Sequence, residues 1–201
     1  MFESQIEGDN KTEKIARRAF LAAAGAAIAG GVLWSSRRKF AAATAVPPQQ
    51  VTVVRFSDSG ERLATVRILK IVKTEEEWRA QLTPNAFDIT RQADTEMAFT
   101  GRYWNSHTKG IYRCICCDNA LFSSETKFDS STGWPSFWAP IAPENIHTAA
   151  DASLGMDRIA VSCTLCDAHL GHVFNDGPPP TYLRYCMNSA ALRFVSPQLT
   201  E

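Results

Sequence analysis

Several features that would classify the chain at a glance are missing. Its 201 residues carry no formal net charge, and no internal repeat or low-complexity tract interrupts them, so repeat architectures are excluded. No apolar run reaches the 18 or more residues expected of a membrane span; the candidate stretch, 19–34, is shorter and rich in Ala and Gly. No basic run lies beyond the N-terminal region. Residues 1–45 hold seven basic and four acidic residues, which leaves 14 basic against 17 acidic in 46–201. A mildly acidic body gives nucleic acid no electrostatic footprint. The whole chain is 45% hydrophobic, enough for one ordinary core.

Six cysteines and an unusual N-terminus carry the information. Arg17 and Arg18 stand directly before the weak apolar stretch, Arg37, Arg38 and Lys39 follow it, and Ala43-x-Ala45 fits a signal peptidase site. The order RR-x-F-L with a weak apolar region resembles a twin-arginine export signal, which predicts a periplasmic protein, with membrane attachment only if the segment is kept as an anchor. Outside the cytoplasm an even cysteine count suggests disulfides. The twin-arginine route carries folded proteins, however, so a metal-thiolate site is equally compatible with export.

Beyond "VPPQQ" (46–50), read as a linker, two strands are predicted around a turn at 57–61. A helix follows at "KTEEEWRAQL", where Thr74 and Glu77 form a T-x-x-E capping box. Thr83-Pro84 opens a second helix. From about 110 the pattern is strands and loops: "GIYRC", "RIAVSC" (158–163) and a long "YLRYCMNSAALRFV" (182–195). The expectation is two small helices and then an antiparallel β body. The domain boundaries follow as an export signal (1–45), a linker with N-terminal strands (46–69) and one domain (70–201).

"YRCICCDNALF" places Cys114, Cys116 and Cys117 within four positions, and Cys163-x-x-Cys166 is a second C-x2-C. Each pair ends a predicted strand and is followed by a polar turn. Two such knuckles facing each other complete a tetrahedral four-thiolate site, which has no open position and is structural. Matching the pairs makes Cys114, Cys117, Cys163 and Cys166 the ligands of one zinc and leaves Cys116 out. The alternatives are two disulfides or a thioredoxin-like pair; the latter lacks its βαβ setting.

Cys186 lies in "LRYCMNSAALRF". Strand periodicity puts Arg184, Cys186 and Asn188 on one face, where the guanidinium is expected to lower the thiol pKa and favour the nucleophilic thiolate. The competing reading is a small core hydrophobe. "HLGHVFNDGPPP" adds His169 and His172, suited to proton transfer, and Asp176. "STGWPSFW" offers Trp134 either as packing or as the wall of a small apolar pocket.

Together, "CCDNALFSSETKFDS", "GWPSF", "HLGHVFNDGP" and "RYCMNSAALRF" resemble the methionine-R-sulfoxide reductases of the B type, in order and spacing, over about 70–196. The resemblance implies a mainly β fold, a barrel-like pair of antiparallel sheets with short peripheral N-terminal helices. It implies a structural zinc on the knuckle pair, away from the active site, and no organic cofactor. It makes Cys186 the nucleophile that attacks the sulfoxide sulfur and becomes a sulfenic acid. His169 and His172 position and polarise the oxygen; Asp176, Arg184 and Asn188 surround them; Trp134, with Phe174, contacts the substrate. The partners implied are proteins containing methionine-R-sulfoxide and a thioredoxin-like or other thiol reductant. One departure stands out. Many members carry a resolving cysteine where this chain has Thr132, so either another thiol (Cys116 is the spare one) or an external reductant must resolve Cys186. A different thiol-disulfide oxidoreductase, or a non-catalytic zinc-binding module, is the alternative function.

Overall fold

The computed structural model describes residues 49–152 and 157–197; the segment 1–45, read above as an expected export signal, lies outside the described residues. Strands β1 (Gln50–Phe56) and β2 (Arg62–Leu69) pair antiparallel as an N-terminal hairpin. Its turn is closed by Ser57 and Glu61 backbone bonding at 3.0 Å, and Gly60, at φ +88°, takes the left-handed position. Val53 and Val54 bury their side chains, and Asn145 pins the strand there: its Oδ1 accepts from Val54 N–H at 2.7 Å and its Nδ2 donates to the Val54 carbonyl at 2.8 Å.

Helix α1 (Glu75–Gln81) begins as its capping box predicts. Thr74 N–H donates to Glu77 at 2.7 Å and Glu77 N–H donates back to Thr74 Oγ1 at 3.2 Å, so two orphan donors are satisfied. Helix α2 (Pro84–Gln92) starts at Thr83 with proline in the first turn, and stops where Ala93 turns left-handed. Trp78, Phe87 and Ile89 are the buried faces of the pair.

The β body holds two larger sheets, antiparallel throughout. One is three-stranded, in the order β11 (Leu192–Val195), β3 (Ile111–Cys114), β4 (Ala120–Ser123). The other is six-stranded, in the order β5 (Lys127–Phe128), β6 (Ser136–Phe137), β10 (Arg184–Met187), β9 (His169–Phe174), β8 (Arg158–Cys163), β7 (Ile146–Asp151). Tyr112, Phe122, Phe137, Leu170 and Met187 are fully buried, and the Phe122 and Phe137 rings stack with centroids 4.5 Å apart. The mainly β, antiparallel architecture with two short helices is as expected.

The long strand expected over 182–195 is not one strand. It divides into β10 and β11, which belong to different sheets, around a 3-10 turn at Ser189–Ala191. Asn188 takes the backbone out of the ladder, with its Nδ2 donating to the Leu170 carbonyl at 3.3 Å. The Glu96 carboxylate then accepts the turn's first two N–H groups, from Ser189 at 2.6 Å and Ala190 at 3.1 Å. Among the described residues, no helix is long and apolar enough to cross a membrane.

Candidate active site

Cys186 occupies the middle of the six-stranded sheet. Its strand partners are Ser136 on β6 and His172 on β9, and the side chain is half-buried. A cavity of about 140 Å³ opens beside it, walled by Trp134, Phe174, His172 and Asn188. Arg184 stays on β10 two residues before the cysteine, as alternation requires, while Asn188 has left the strand and is only 2% exposed. Asn188 still lines the cavity, with its amide committed to backbone groups.

Placing both histidines near this cavity takes a bulge. In a regular strand His169 and His172, three residues apart, would face opposite sides. The β8–β9 ladder instead pairs Ser162 with His169 and Val161 with Gly171, so Leu170 is an extra residue on β9. The parity change returns both rings to one side, 5.2 Å apart in an edge arrangement. Gly171 makes the bulge possible. Its φ is +153°, and a β-carbon there would sit 2.1 Å from the Cys186 carbonyl oxygen.

The two rings differ in what holds them. His172 Nε2 lies 2.8 Å from Asp151 Oδ2, an oxygen that also accepts from Arg158 at 2.9 Å. A carboxylate offers only acceptors, so His172 Nε2 carries the proton and Nδ1 is the free position. His169 lines an adjoining groove with His172 and Asp151 but not the cavity beside the sulfur. Its Nε2 is buried with no hydrogen-bond partner among the described residues. Burial, then the neighbouring His172, push its pKa down to about 4, so it is neutral at neutral pH.

The Cys186 thiol itself is raised above its ordinary value, because burial outweighs the lowering contributions of Thr132, Arg184 and Ser136. This reverses the expectation that Arg184 leaves a thiolate at rest. The guanidinium is already spent on Asp176, to which it donates twice at 2.8 Å, while stacking 4.3 Å over the Phe174 ring. Asp176 in turn is held below the usual carboxylate range by that pairing.

Trp134 is fixed from a distant segment. Its indole N–H donates to the Glu96 carbonyl at 3.0 Å, and Glu96 N–H donates to Asn188 Oδ1 at 3.0 Å. Glu96 thus ties the tryptophan wall to the turn that follows the nucleophile. Glu96, Asp151 and Arg158 have no part in the sequence reading, because each comes from a segment whose local pattern carries no chemistry: Glu96 from a loop, Asp151 from the edge strand β7 and Arg158 from the start of β8 beside it.

The two knuckles are copies of each other. Asp118 and Asp167, each following a second cysteine, adopt left-handed φ of 64° and 56°. Each donates its N–H to the backbone carbonyl of the first cysteine of its pair, Cys114 and Cys163, at 2.9 Å. The four sulfurs of Cys114, Cys117, Cys163 and Cys166 lie within 4.8 Å of one another, with cross-knuckle separations of 3.7 and 3.5 Å. Ligands at about 2.3 Å around a tetrahedral centre stand about 3.8 Å apart, so the arrangement can hold a metal ion. Asn119 Nδ2 also points at Cys163 Sγ, 3.6 Å away, and can donate to a bound thiolate. Cys116 stays outside the cluster: it is 5% exposed, with its sulfur 3.4 Å from Thr90 on α2.

Fold and site together define an antiparallel β protein with one cavity-facing thiol and a separate four-sulfur cluster able to hold a metal ion. Comparison with known proteins narrows this class. Residues 82–196 match the SelR domain family. A peptide methionine sulfoxide reductase MsrB of Herminiimonas arsenicoxydans is 56% identical over 133 residues, covering 66% of this chain and 97% of that protein. The protein of that name from Synechococcus sp. (strain RCC307) is 59% identical over 121 residues, 60% of this chain and 89% of its own length. Peptide methionine sulfoxide reductase B1, chloroplastic, of Arabidopsis thaliana is 59% identical over 129 residues, 64% of this chain and 63% of its own. The chain belongs to the B-type methionine-R-sulfoxide reductase family.

Proposed function

We propose that this protein reduces peptide-bound methionine-R-sulfoxide to methionine, repairing oxidised proteins, with Cys186 as nucleophile. The observation that carries the reading is the single thiol of Cys186 on a cavity bounded by the Trp134 ring on one side and His172 on the other. The substrate's S-methyl group packs on the indole while its oxygen turns to the polar wall, and that division selects the R epimer. Sulfur attacks sulfur, the sulfoxide oxygen passes to Cys186, methionine leaves, and the thiol hydrogen ends on the oxygen as Cys186 S–OH. His172, held in place by Asp151, is the histidine that faces that oxygen as charge develops on it, while His169 lies behind it in the adjoining groove. Arg184, braced by Asp176, adds a positive field at the sulfur.

Cys116 faces Thr90 within the core, which favours direct attack on the sulfenic acid by an external thiol, thioredoxin-like or smaller, over internal resolution. Zinc on Cys114, Cys117, Cys163 and Cys166 would fill all four positions and so contribute folding energy without taking part in the chemistry. Arg17 and Arg18 ahead of the weak apolar segment support twin-arginine export to the periplasm.

Turnover of R- and S-sulfoxide peptides with dithiothreitol tests the function. We expect reduction of the R epimer alone and its loss in Cys186→Ser. Activity on the S epimer alone, or an active Cys186→Ser protein, would sink it.

A further inference from the structure

Three hydroxyl groups gather on the far side of the Cys186 sulfur. Thr132 Oγ1 lies 3.9 Å from Sγ. Ser130 Oγ bridges from Thr132, at 2.8 Å, to Ser136, at 2.7 Å. Ser136 is fully buried, stands opposite Cys186 in the β6–β10 ladder, and donates to the Trp134 carbonyl at 3.3 Å. A hydroxyl has one proton that rotates and two lone pairs, so such a chain has more than one consistent orientation. When the sulfur is a thiol, S–H donates to Thr132, Thr132 to Ser130, Ser130 to Ser136, and Ser136 to the carbonyl. When the sulfur is charged, the protons turn round: Thr132 and Ser136 donate to it, and Ser130 donates to one of them.

We propose that Thr132, backed by Ser130 and Ser136, is a catalytic residue that stabilises the charged sulfur of Cys186 by donating a hydrogen bond to it and then accepts a hydrogen bond from its sulfenic acid. The proposal rests on Cys186 being the nucleophile of the reaction above. A hydroxyl cannot form a disulfide, so Thr132 does not resolve the intermediate. Its contribution is a hydrogen bond that strengthens when the acceptor becomes charged in a site partly screened from water. That help is needed because burial disfavours the thiolate and the Arg184 charge is already shared with Asp176. Ser130 and Ser136 act as positioning residues that supply Thr132 with a second partner in either orientation.

The test is the pH profile of iodoacetamide alkylation at Cys186, read by mass spectrometry of its peptide, in the full-length metal-loaded protein. Thr132→Val keeps the shape and removes the hydroxyl; we expect a midpoint about one pH unit higher and alkylation about tenfold slower below it. Thr132→Ser should return to the wild-type midpoint, and Ser130→Ala, an independent variant, should show a smaller rise. Single-turnover reduction of a methionine-R-sulfoxide peptide should slow in the same order. An unchanged midpoint in both Thr132→Val and Ser130→Ala, or equal shifts in the Val and Ser variants, overturns the proposal. A wild type that alkylates as described yet ignores the sulfoxide removes the proposed reaction and leaves the hydroxyl assignment to stand on its own profile.

Discussion

At the scale of single residues, the site is governed by what burial does to charge. His169 is 9% exposed, and its depressed pKa means the native state binds its proton less readily than the unfolded chain does. Stability from this residue is therefore full above the unfolded value of about 6.5 and is lost as pH falls toward 4. We expect up to about 3 kcal/mol to disappear across that window in denaturant titrations, and a shallower loss in His169→Gln. A flat stability profile between pH 7 and 4 would contradict this. The residue types of the site were legible in the sequence: cysteine beside arginine and two closely spaced histidines announce thiol and proton chemistry. The sign of the shift at Cys186 was not, since it depends on how deeply the sulfur is buried and on Arg184 being already paired, neither of which local spacing reveals.

At the scale of elements, local rules carried the helices and failed where a distant segment intervened. The capping box at Thr74 and the proline start at Thr83 are written within four residues of each helix and appear as expected. The break between β10 and β11 is imposed by Glu96, more than ninety residues away in sequence, whose carboxylate captures the N–H groups of Ser189 and Ala190. The same residue holds Trp134 and Asn188 through its backbone, so the loop after α2 sets the distance between the pocket wall and the nucleophile's turn. Glu96→Ala should raise KM for the R-sulfoxide peptide about tenfold by releasing that loop, while the alkylation rate of Cys186 stays near wild type. Glu96→Gln keeps one capping acceptor and should fall between. An unaltered KM in Glu96→Ala would show that the loop holds its place without the carboxylate.

At the scale of the whole molecule, the four-sulfur cluster joins the two sheets at a second place besides their shared core, where Phe122 stacks on Phe137. Cys114 and Cys117 extend from the three-stranded sheet, and Cys163 and Cys166 from the six-stranded one. The N-terminal hairpin leans on the same region: Ile71 N–H donates to the Leu165 carbonyl at 2.8 Å, and Lys70 pairs with Asp167 at 2.7 Å. A structural zinc site contributes on the order of 10 kcal/mol, comparable to the entire stability of a domain. We expect about one zinc per chain by elemental analysis, and loss of cooperative thermal unfolding after chelation or in Cys163→Ser; a metal-free protein with unchanged Tm would refute it. The cluster was readable in advance because repeated C-x2-C spacing is a local signature. The hairpin's docking on Asn145 was not, since a lone asparagine in a loop signals nothing until Val54 is brought to it.

The placement of the six cysteines also sets the protein's electron account. Four sulfurs belong to the cluster, Cys116 is shut in the core against Thr90, and Thr132 stands where a second redox partner for Cys186 would sit. If Cys186 reacts as proposed, the molecule stores a single reducing equivalent pair. Mixed with excess oxidised peptide and no reductant, it should behave as a reagent with a stoichiometry of one. In an oxidising compartment its throughput would then follow the rate at which thiols are delivered to it, so that making more of the protein would enlarge the first burst of repair and leave the sustained rate unchanged.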